Sequence, residues 1–273
     1  MTSELTHISR LALVGCGKMG GALLEGWLRL GLAASAVAVI DPHLPDGTGA
    51  DLRKRGVSVN LAMQPAEIVV IAVKPQALDA VLPSLRPLLR PSTLVISVVA
   101  GKTMAQFATG LGEAAAIIRT IPNTPAAVGR GITVGVANER VTIEQRVLAA
   151  MLLGAVGQFE WMDDEALMNA VTAVSGSGPA YVFHLVEALA AAGVAQGLPA
   201  DLAAKLARVT VEGAGELLHQ STLDPATLRQ NVTSPGGTTA AALYHLMDGN
   251  SGFPPLLARA IAAATARGQE LAG

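Results

Sequence analysis

Six short runs of Val, Ile, Leu and Ala recur along the chain: Leu11–Gly15, Val37–Asp41, Ile68–Val73, Leu94–Val99, Ala116–Thr120 and Ile132–Val136. They are apolar rather than alternating, the pattern of strands buried on both faces of a parallel sheet. Stretches of helical periodicity separate them. In Gly20–Leu30, for example, Leu23, Leu24, Trp27 and Leu28 share one stripe. Strand and helix in turn read as a doubly wound α/β fold.

After Trp161 the pattern changes. From Asp163 onward no run reads convincingly as a strand, and Ala-rich helical stretches are separated by SGSGP, QGLP, DP, SPGG and GFPP. The expected organisation is a Rossmann-type dinucleotide-binding domain over 1–162, then an all-helical domain over 163–273. Ala and Gly on helix faces would let those helices approach closely. Asp163, Asp164 and Glu165 suit a solvated helix N-terminus, where carboxylates meet the positive end of the dipole.

Composition removes several function classes. With 51% hydrophobic and only 15% charged residues, the chain is not disordered. A formal net charge of −2 and a pI near 6.2 argue against a sequence-independent grip on nucleic acid. One cysteine, Cys16, rules out a disulfide framework within the chain and suits a reducing cytoplasm. The mean hydropathy of +0.46 raises the question of a membrane. The uncharged run Ala166–Phe183 is about long enough to span one. Its interior, Ser175-Gly176-Ser177-Gly178-Pro179, would leave backbone groups unpaired in lipid, and no basic segment precedes an apolar one at the N-terminus. A soluble, unexported protein without nucleic-acid or membrane partners is expected.

Gly15-Cys16-Gly17-Lys18-Met19-Gly20 follows an apolar run and opens an amphipathic helix. The first glycine allows the tight turn, the second a close approach of backbone to pyrophosphate, the third close packing of helix on strand. Free N–H groups at the helix start then meet the phosphates. Gly15, Gly17, Lys18, Met19 and Gly20 are therefore cofactor-binding candidates. Asp41 ends the second run, where a carboxylate accepts from a ribose hydroxyl and repels a 2′-phosphate. Arg53, Lys54 and Arg55 could reach such a phosphate, but read better as a solvated helix face. Cys16 reads as a small filler.

Ala72-Val73-Lys74-Pro75 closes a buried run, and Arg119–Pro125 reads RTIPNTP just past another. Loops at the carboxyl ends of strands line the ligand crevice of an open α/β sheet, so both are candidates for the nicotinamide-side wall. Thr233-Ser234-Pro235-Gly236-Gly237-Thr238-Thr239 precedes a helical stretch, Ala240–Met247, and can form a backbone N–H cup for a carboxylate. The five histidines show no ligand spacing, so no metal site is expected. Ser175 and Ser177 lie in no GxSxG context and read as turn residues.

GCGKMGGAL, IAVKP, SVVAG, RTIPNTP, TAVSGSGPAYVF and NVTSPGGTT occur in the order and approximate spacing of the pyrroline-5-carboxylate reductases. The chain resembles that family from about Leu11 to its last helices. The resemblance implies reduction of the C=N bond of 1-pyrroline-5-carboxylate with NADPH or NADH, the last step of proline synthesis. It implies an N-terminal Rossmann domain and an all-helical C-terminal domain that interlocks with a partner as a homodimer, with decamers in some members. It also implies that Ser177, Ser234, Gly236, Gly237 and Thr238 serve the substrate, with Thr239 reaching the ring nitrogen. The asparagine of the family's PN motif falls on Asn123, the lysine of its VKP motif on Lys74, and an adenosine-ribose asparagine on Asn60.

Two departures stand out. Ile121 replaces a common Met. Asp41-Pro42 stands where users of NADPH place small or basic residues, which leans the choice toward NADH. Two other functions remain open to such a chain. A hydroxy-acid dehydrogenase relative would need a proton-donating Lys or His in the helical half, where Lys205 is the sole lysine, away from the glycine loops. A redox-sensing dinucleotide-binding module would add a basic partner surface, and no basic helix is visible.

Overall fold

The computed structural model describes residues 5–272. Its strands are β1 (Leu11–Val14), β2 (Val37–Ile40), β3 (Ser58–Val59), β4 (Ile68–Ile71), β5 (Leu94–Ser97), β6 (Ala116–Ile121), β7 (Gly131–Ala137) and β8 (Gly157–Trp161). Among the described residues they form one eight-stranded sheet, in the order β3-β2-β1-β4-β5-β6-β7-β8. Helices α1 (Lys18–Arg29), α2 (Asp46–Lys54), α3 (Leu78–Val81), α4 (Met104–Leu111) and α5 (Ile143–Gly154) connect them. Beyond the sheet come α6 (Met168–Val171), α7 (Gly178–Ala195), α8 (Ala200–Gln220), α9 (Pro225–Asn231), α10 (Thr238–Leu246) and α11 (Phe253–Ala272).

The apolar runs become strands because each supplies two cores at once. Leu11 and Leu13 of β1 pack with Leu23, Leu24 and Trp27 of α1 on one face. Ala12 and Val14 pack on the other, in the cluster holding Phe107 of α4. Trp27 is fully buried, and its indole Nε1 donates to the Leu152 carbonyl of α5 at 2.8 Å, so the one polar atom of the largest core side chain is satisfied. The chain reverses its direction across the sheet between β1 and β4, the switch point where such folds bind ligands.

Three features differ from the expectation. The run Ile132–Val136 lies in β7, which pairs antiparallel with β6. The connection 122–130 holds only a 3₁₀ turn, Thr124–Val128, and a parallel return needs a dozen or more residues. Strand β8 was not expected, because Gly157–Trp161 carries charge and alternates in burial as an edge strand does. Its Phe159 and Trp161 stack edge to face at 4.8 Å, with the Arg146 guanidinium 4.8 Å above the Trp161 ring. The two-residue β3 also escaped notice.

The described chain divides into two compact units. One runs up to Gly176 and takes in the chain from Ala264 onward; the other is Ser177–Ala263. The class of structure changes after Trp161, as expected, but the first unit extends past residue 162. The reason is packing: Met168 is fully buried with Ile121 and Val136 of the sheet. The end of α11 rejoins this unit, where Gly268 lies so close to Asn169 that a Cβ would sit 3.1 Å from its Oδ1.

The second unit is helical. Helix α7 ends in a Schellman motif, with Gly197 at φ +93° and Leu198 N donating to Gly193 O at 3.1 Å. Gly193 brings α7 against α8; a Cβ there would lie 3.3 Å from that of Ala203. Within Ser177–Ala263 the buried apolar side chains are Ala203 and Ala207, while Phe183, Leu206, Leu217 and Tyr244 stand exposed.

SGSGP does not interrupt the helical run. A π turn, Thr172–Gly176, carries Ser175 Oγ onto the Val171 carbonyl at 3.0 Å and leads into α7. Glu165–Ala195 is, by length and composition, apolar enough to cross a membrane, and its most apolar stretch is unburied in the single chain.

Candidate active site

The glycine loop sits at the end of β1, beside the switch point. Gly15 adopts φ +88°, and a Cβ there would lie 2.7 Å from the Ala72 carbonyl oxygen and 3.0 Å from Val73 N. The loop after β1 thus rests directly on the loop after β4. Gly20 is equally constrained, since its Cβ would collide with the Gly15 carbonyl oxygen. Gly17 differs: a Cβ there would meet no protein atom within 4 Å. Packing alone therefore requires glycine at two of the three positions. The third faces outward at the start of α1, where Gly17 supplies no side-chain cap and the first turn holds no acidic residue. A positive helix end with its N–H groups unclaimed by a carboxylate fits a dinucleotide pyrophosphate. Lys18 is exposed and Met19 half-buried on the same turn.

Asp41 lies one residue beyond β2, and its carboxylate spans two loops. Oδ2 accepts from Cys16 N at 2.8 Å and Oδ1 from His43 N at 2.9 Å. Asn60, at φ 54°, grips the Asp41 backbone from the end of β3: its Oδ1 accepts from Asp41 N and its Nδ2 donates to Asp41 O, both at 2.8 Å. The asparagine expected at the ribose thus also clamps the aspartate expected there. Burial, then the negative charges of Asp41 and Glu25, push the Cys16 thiol up to about 11. It stays protonated at neutral pH, which supports the filler reading. Of the three basic residues at the end of α2, Arg55 donates to both Glu25 oxygens at 2.6 and 2.9 Å, and this bond holds the Glu25 carboxyl below its ordinary range.

Lys74 is exposed at the end of the β4 loop, and its carbonyl accepts from Ala77 N across the Pro75–Ala77 turn. Asn123 follows β6, and its Oδ1 accepts from Ile132 N at 2.9 Å. Its Nδ2 is left to donate toward a ligand. Arg119, inside the run Ala116–Thr120 expected as a strand, lies in β6 and is 3% exposed.

The substrate candidates belong to the other unit. Ser177 is half-buried at the start of α7, and its carbonyl accepts from Ala180 N. Gly236 turns the chain at φ +70°, and a Cβ on Gly237 would meet Ser234 Oγ at 2.6 Å. Helix α10 starts two residues earlier than expected, so Thr238 and Thr239 are its first residues rather than its caps. Gly237 is the N-cap, without a side-chain bond and with no acidic residue in the first turn. Ser234 and Thr238 are exposed and Thr239 half-buried. A helix start of this kind presents backbone donors to a carboxylate, with a hydroxyl at hand.

Sequence reasoning missed Glu165. Asp164 is the cap it was expected to be, with Oδ1 accepting from Ala166 N at 2.8 Å. Glu165 is no solvated cap: its Oε1 accepts from Arg119 Nη1 at 2.6 Å and from Met104 N at 2.7 Å. A lone arginine in an apolar run was the available signal.

Comparison with known proteins bears on both units. The pyrroline-5-carboxylate reductase dimerisation family matches residues 165–271, and the coenzyme F420-dependent NADP oxidoreductase family matches residues 10–101. The pyrroline-5-carboxylate reductase of Pseudomonas aeruginosa is 40% identical, covering 96% of this chain and 97% of its own. That of Synechocystis is 41% identical over 96% and 98%. Among solved structures, a Coxiella burnetii pyrroline-5-carboxylate reductase superposes with a TM-score of 0.89 at 35% identity, covering 98% of this chain and 100% of that one. A Plasmodium falciparum pyrroline carboxylate reductase with NADP bound gives 0.81 at 28%, over 98% and 100%.

Proposed function

The chain belongs to the pyrroline-5-carboxylate reductase family, and from that premise we propose how its residues divide the work. It reduces the C=N bond of 1-pyrroline-5-carboxylate, giving L-proline, with NADPH or NADH. The dinucleotide, when bound, supplies the hydride. The start of α1, from Gly17 to Gly20, holds the pyrophosphate through backbone N–H groups, and Asp41, steadied by Asn60, receives the adenosine ribose. Ala72, Val73, Lys74, Pro75 and the Asn123 amide form the wall beside the nicotinamide.

On the substrate side, the first turn of α10, with Ser234, Gly236, Gly237 and Thr238, takes the carboxylate, and Ser177 lies in the same set. Thr239 offers both a donor and an acceptor to a ring nitrogen whose protonation changes during reduction. A protonated imine is already electrophilic, so the residues need supply orientation and a polar partner for nitrogen rather than a strong acid–base pair. The observation that carries this reading is the glycine contrast: Gly15 and Gly20 are demanded by the protein's own packing, Gly17 by nothing in the chain.

A second copy of this chain covers the apolar faces of α7 and α8. Support comes from the dimerisation family over 165–271 and from the exposed Phe183 and Leu206. A cytoplasmic site of action fits one half-buried thiol. Initial rates with NADH and NADPH side by side test the reading. Both should support turnover of 1-pyrroline-5-carboxylate, NADH modestly better, and Asp41→Ser should move the ratio several-fold toward NADPH by removing charge repulsion. No turnover refutes the function. A strong wild-type preference for NADPH refutes the role of Asp41 alone.

A further inference from the structure

Arg119 is the one charged side chain among the buried residues of the described chain. It lies on β6 between Ser97 of β5 and Val136 of β7. One edge of its guanidinium is met: Nη1 donates to Glu165 Oε1 at 2.6 Å. Nε and Nη2 are buried without a partner. An arginine so enclosed, with two unmet donors, is a poor device for stability, since an apolar side chain of similar volume would serve as well or better. What the charged bond does supply is direction, because a planar guanidinium holds its acceptor in a narrow range of positions.

The same carboxylate oxygen also accepts from Met104 N, the first residue of α4. Three segments therefore meet at one atom: the end of β6, the start of α4 after the β5 loop, and the run from Glu165 to the π turn at Gly176. Immediately beyond Arg119, Thr120 Oγ1 donates to the Ser97 carbonyl at 2.8 Å, and Ile121 packs against Met168 of that same run. Pro122 and Asn123 come next.

We propose that Arg119 and Glu165 are a positioning pair, which fixes the 122–123 loop against the run 165–176 so that Asn123 is held in register for hydride transfer. This rests on the assignment of Asn123 to the nicotinamide wall. Neither residue touches substrate or cofactor; they act through the loop.

The test replaces both charges at once, Arg119→Met with Glu165→Met, so that no buried charge is left unpaired. Thermal unfolding, dinucleotide affinity, kcat and amide hydrogen exchange at Ile132, whose N–H donates to Asn123, are then compared with wild type. The expected pattern is a Tm within a few degrees of wild type, a dinucleotide Kd within about twofold, a kcat at least tenfold lower, and exchange at Ile132 at least tenfold faster. Native kcat and native exchange would overturn the proposal and leave only a dispensable ion pair. If the double variant does not fold, Arg119→Lys keeps the charge but loses the planar fork. It should show the same loss of kcat with little change in KM, and wild-type kcat in that variant would overturn the proposal. Should the wild type not turn over pyrroline-5-carboxylate, the assigned function fails. Exchange at Ile132 still decides the pairing.

Discussion

The two units use apolar residues in opposite ways. Up to Gly176 they close on themselves: strand after strand is buried on both faces, and the largest side chains, Trp27 and Phe107, are wholly enclosed. From Ser177 to Ala263 the enclosed apolar side chains are Ala203 and Ala207, and larger ones stand open. The first unit encloses its own core. The second has helices well stopped and capped, by the Schellman turn at Gly197 and by Asp224 at α9, but no core of its own. Good local signals make helices; they do not make a folded body without a partner surface.

The contrast breaks most visibly if the open faces are charged. Phe183→Asp together with Leu206→Asp should weaken self-association by at least about ten-thousandfold, since both copies carry the change and each buried unpaired charge costs about 3 kcal/mol. Sedimentation across a dilution series reads this directly, and association at wild-type strength would mean that α7 and α8 are not covered by a second copy. Next in size is Thr239→Val, which keeps shape but removes the hydroxyl. It should lower kcat by roughly ten- to a thousandfold, the scale of one positioned polar contact, while fluorescence titration finds dinucleotide affinity unchanged. A variant with wild-type kcat would remove Thr239 from the chemistry.

Within the first unit the glycines sharpen the comparison. Gly17→Val should loosen dinucleotide binding by about tenfold or more yet leave Tm nearly unmoved, because a Cβ there meets no protein atom within 4 Å. Gly20→Ala should do the reverse and cost roughly 1–3 kcal/mol of stability by overpacking against the Gly15 carbonyl. Equal losses of Tm in the two variants would erase the distinction.

The smallest effect lies in the second unit. Asp224 accepts from Thr227 Oγ1, Thr227 N and Ala226 N, and these bonds hold its carboxyl below the ordinary 3.8. With the folded value lowered, the α9 cap acts fully above the unfolded value and is lost as pH falls through the folded one. A carbon-detected titration should place the Asp224 midpoint below 3.8; a midpoint at or above it would mean the cap is open in solution.

What could be read in the sequence was whatever neighbours in the chain decide. The glycine loop, the apolar runs and the SPGG turn are local, and their strands and helix starts lie within a residue or two of expectation. The direction of β7 was not legible, because it depends on how little chain is left between Ile121 and Gly131. Nor was β8, whose partner is β7 and whose residues look like a surface turn. Among the candidate site residues, the bond from Cys16 N to Asp41 joins positions far apart in sequence. Nothing local shows that the Asn60 carboxamide bonds the Asp41 backbone. Glu165 was misread for the same reason: its partner Arg119 is brought to it only by the sheet.

The return of α11 orders events during synthesis. The stretch from Ala264 onward belongs with the sheet, and the whole helical unit is encoded between Gly176 and that stretch. A ribosome delivers the sheet first and the residues that complete its unit last, after every helix of the other unit has been made. The sheet must therefore wait, nearly assembled, with the surface around Gly101 and Asn169 uncovered until Gly268 and Leu271 emerge. The unit translated first is thus closed by residues translated after the whole of the other unit.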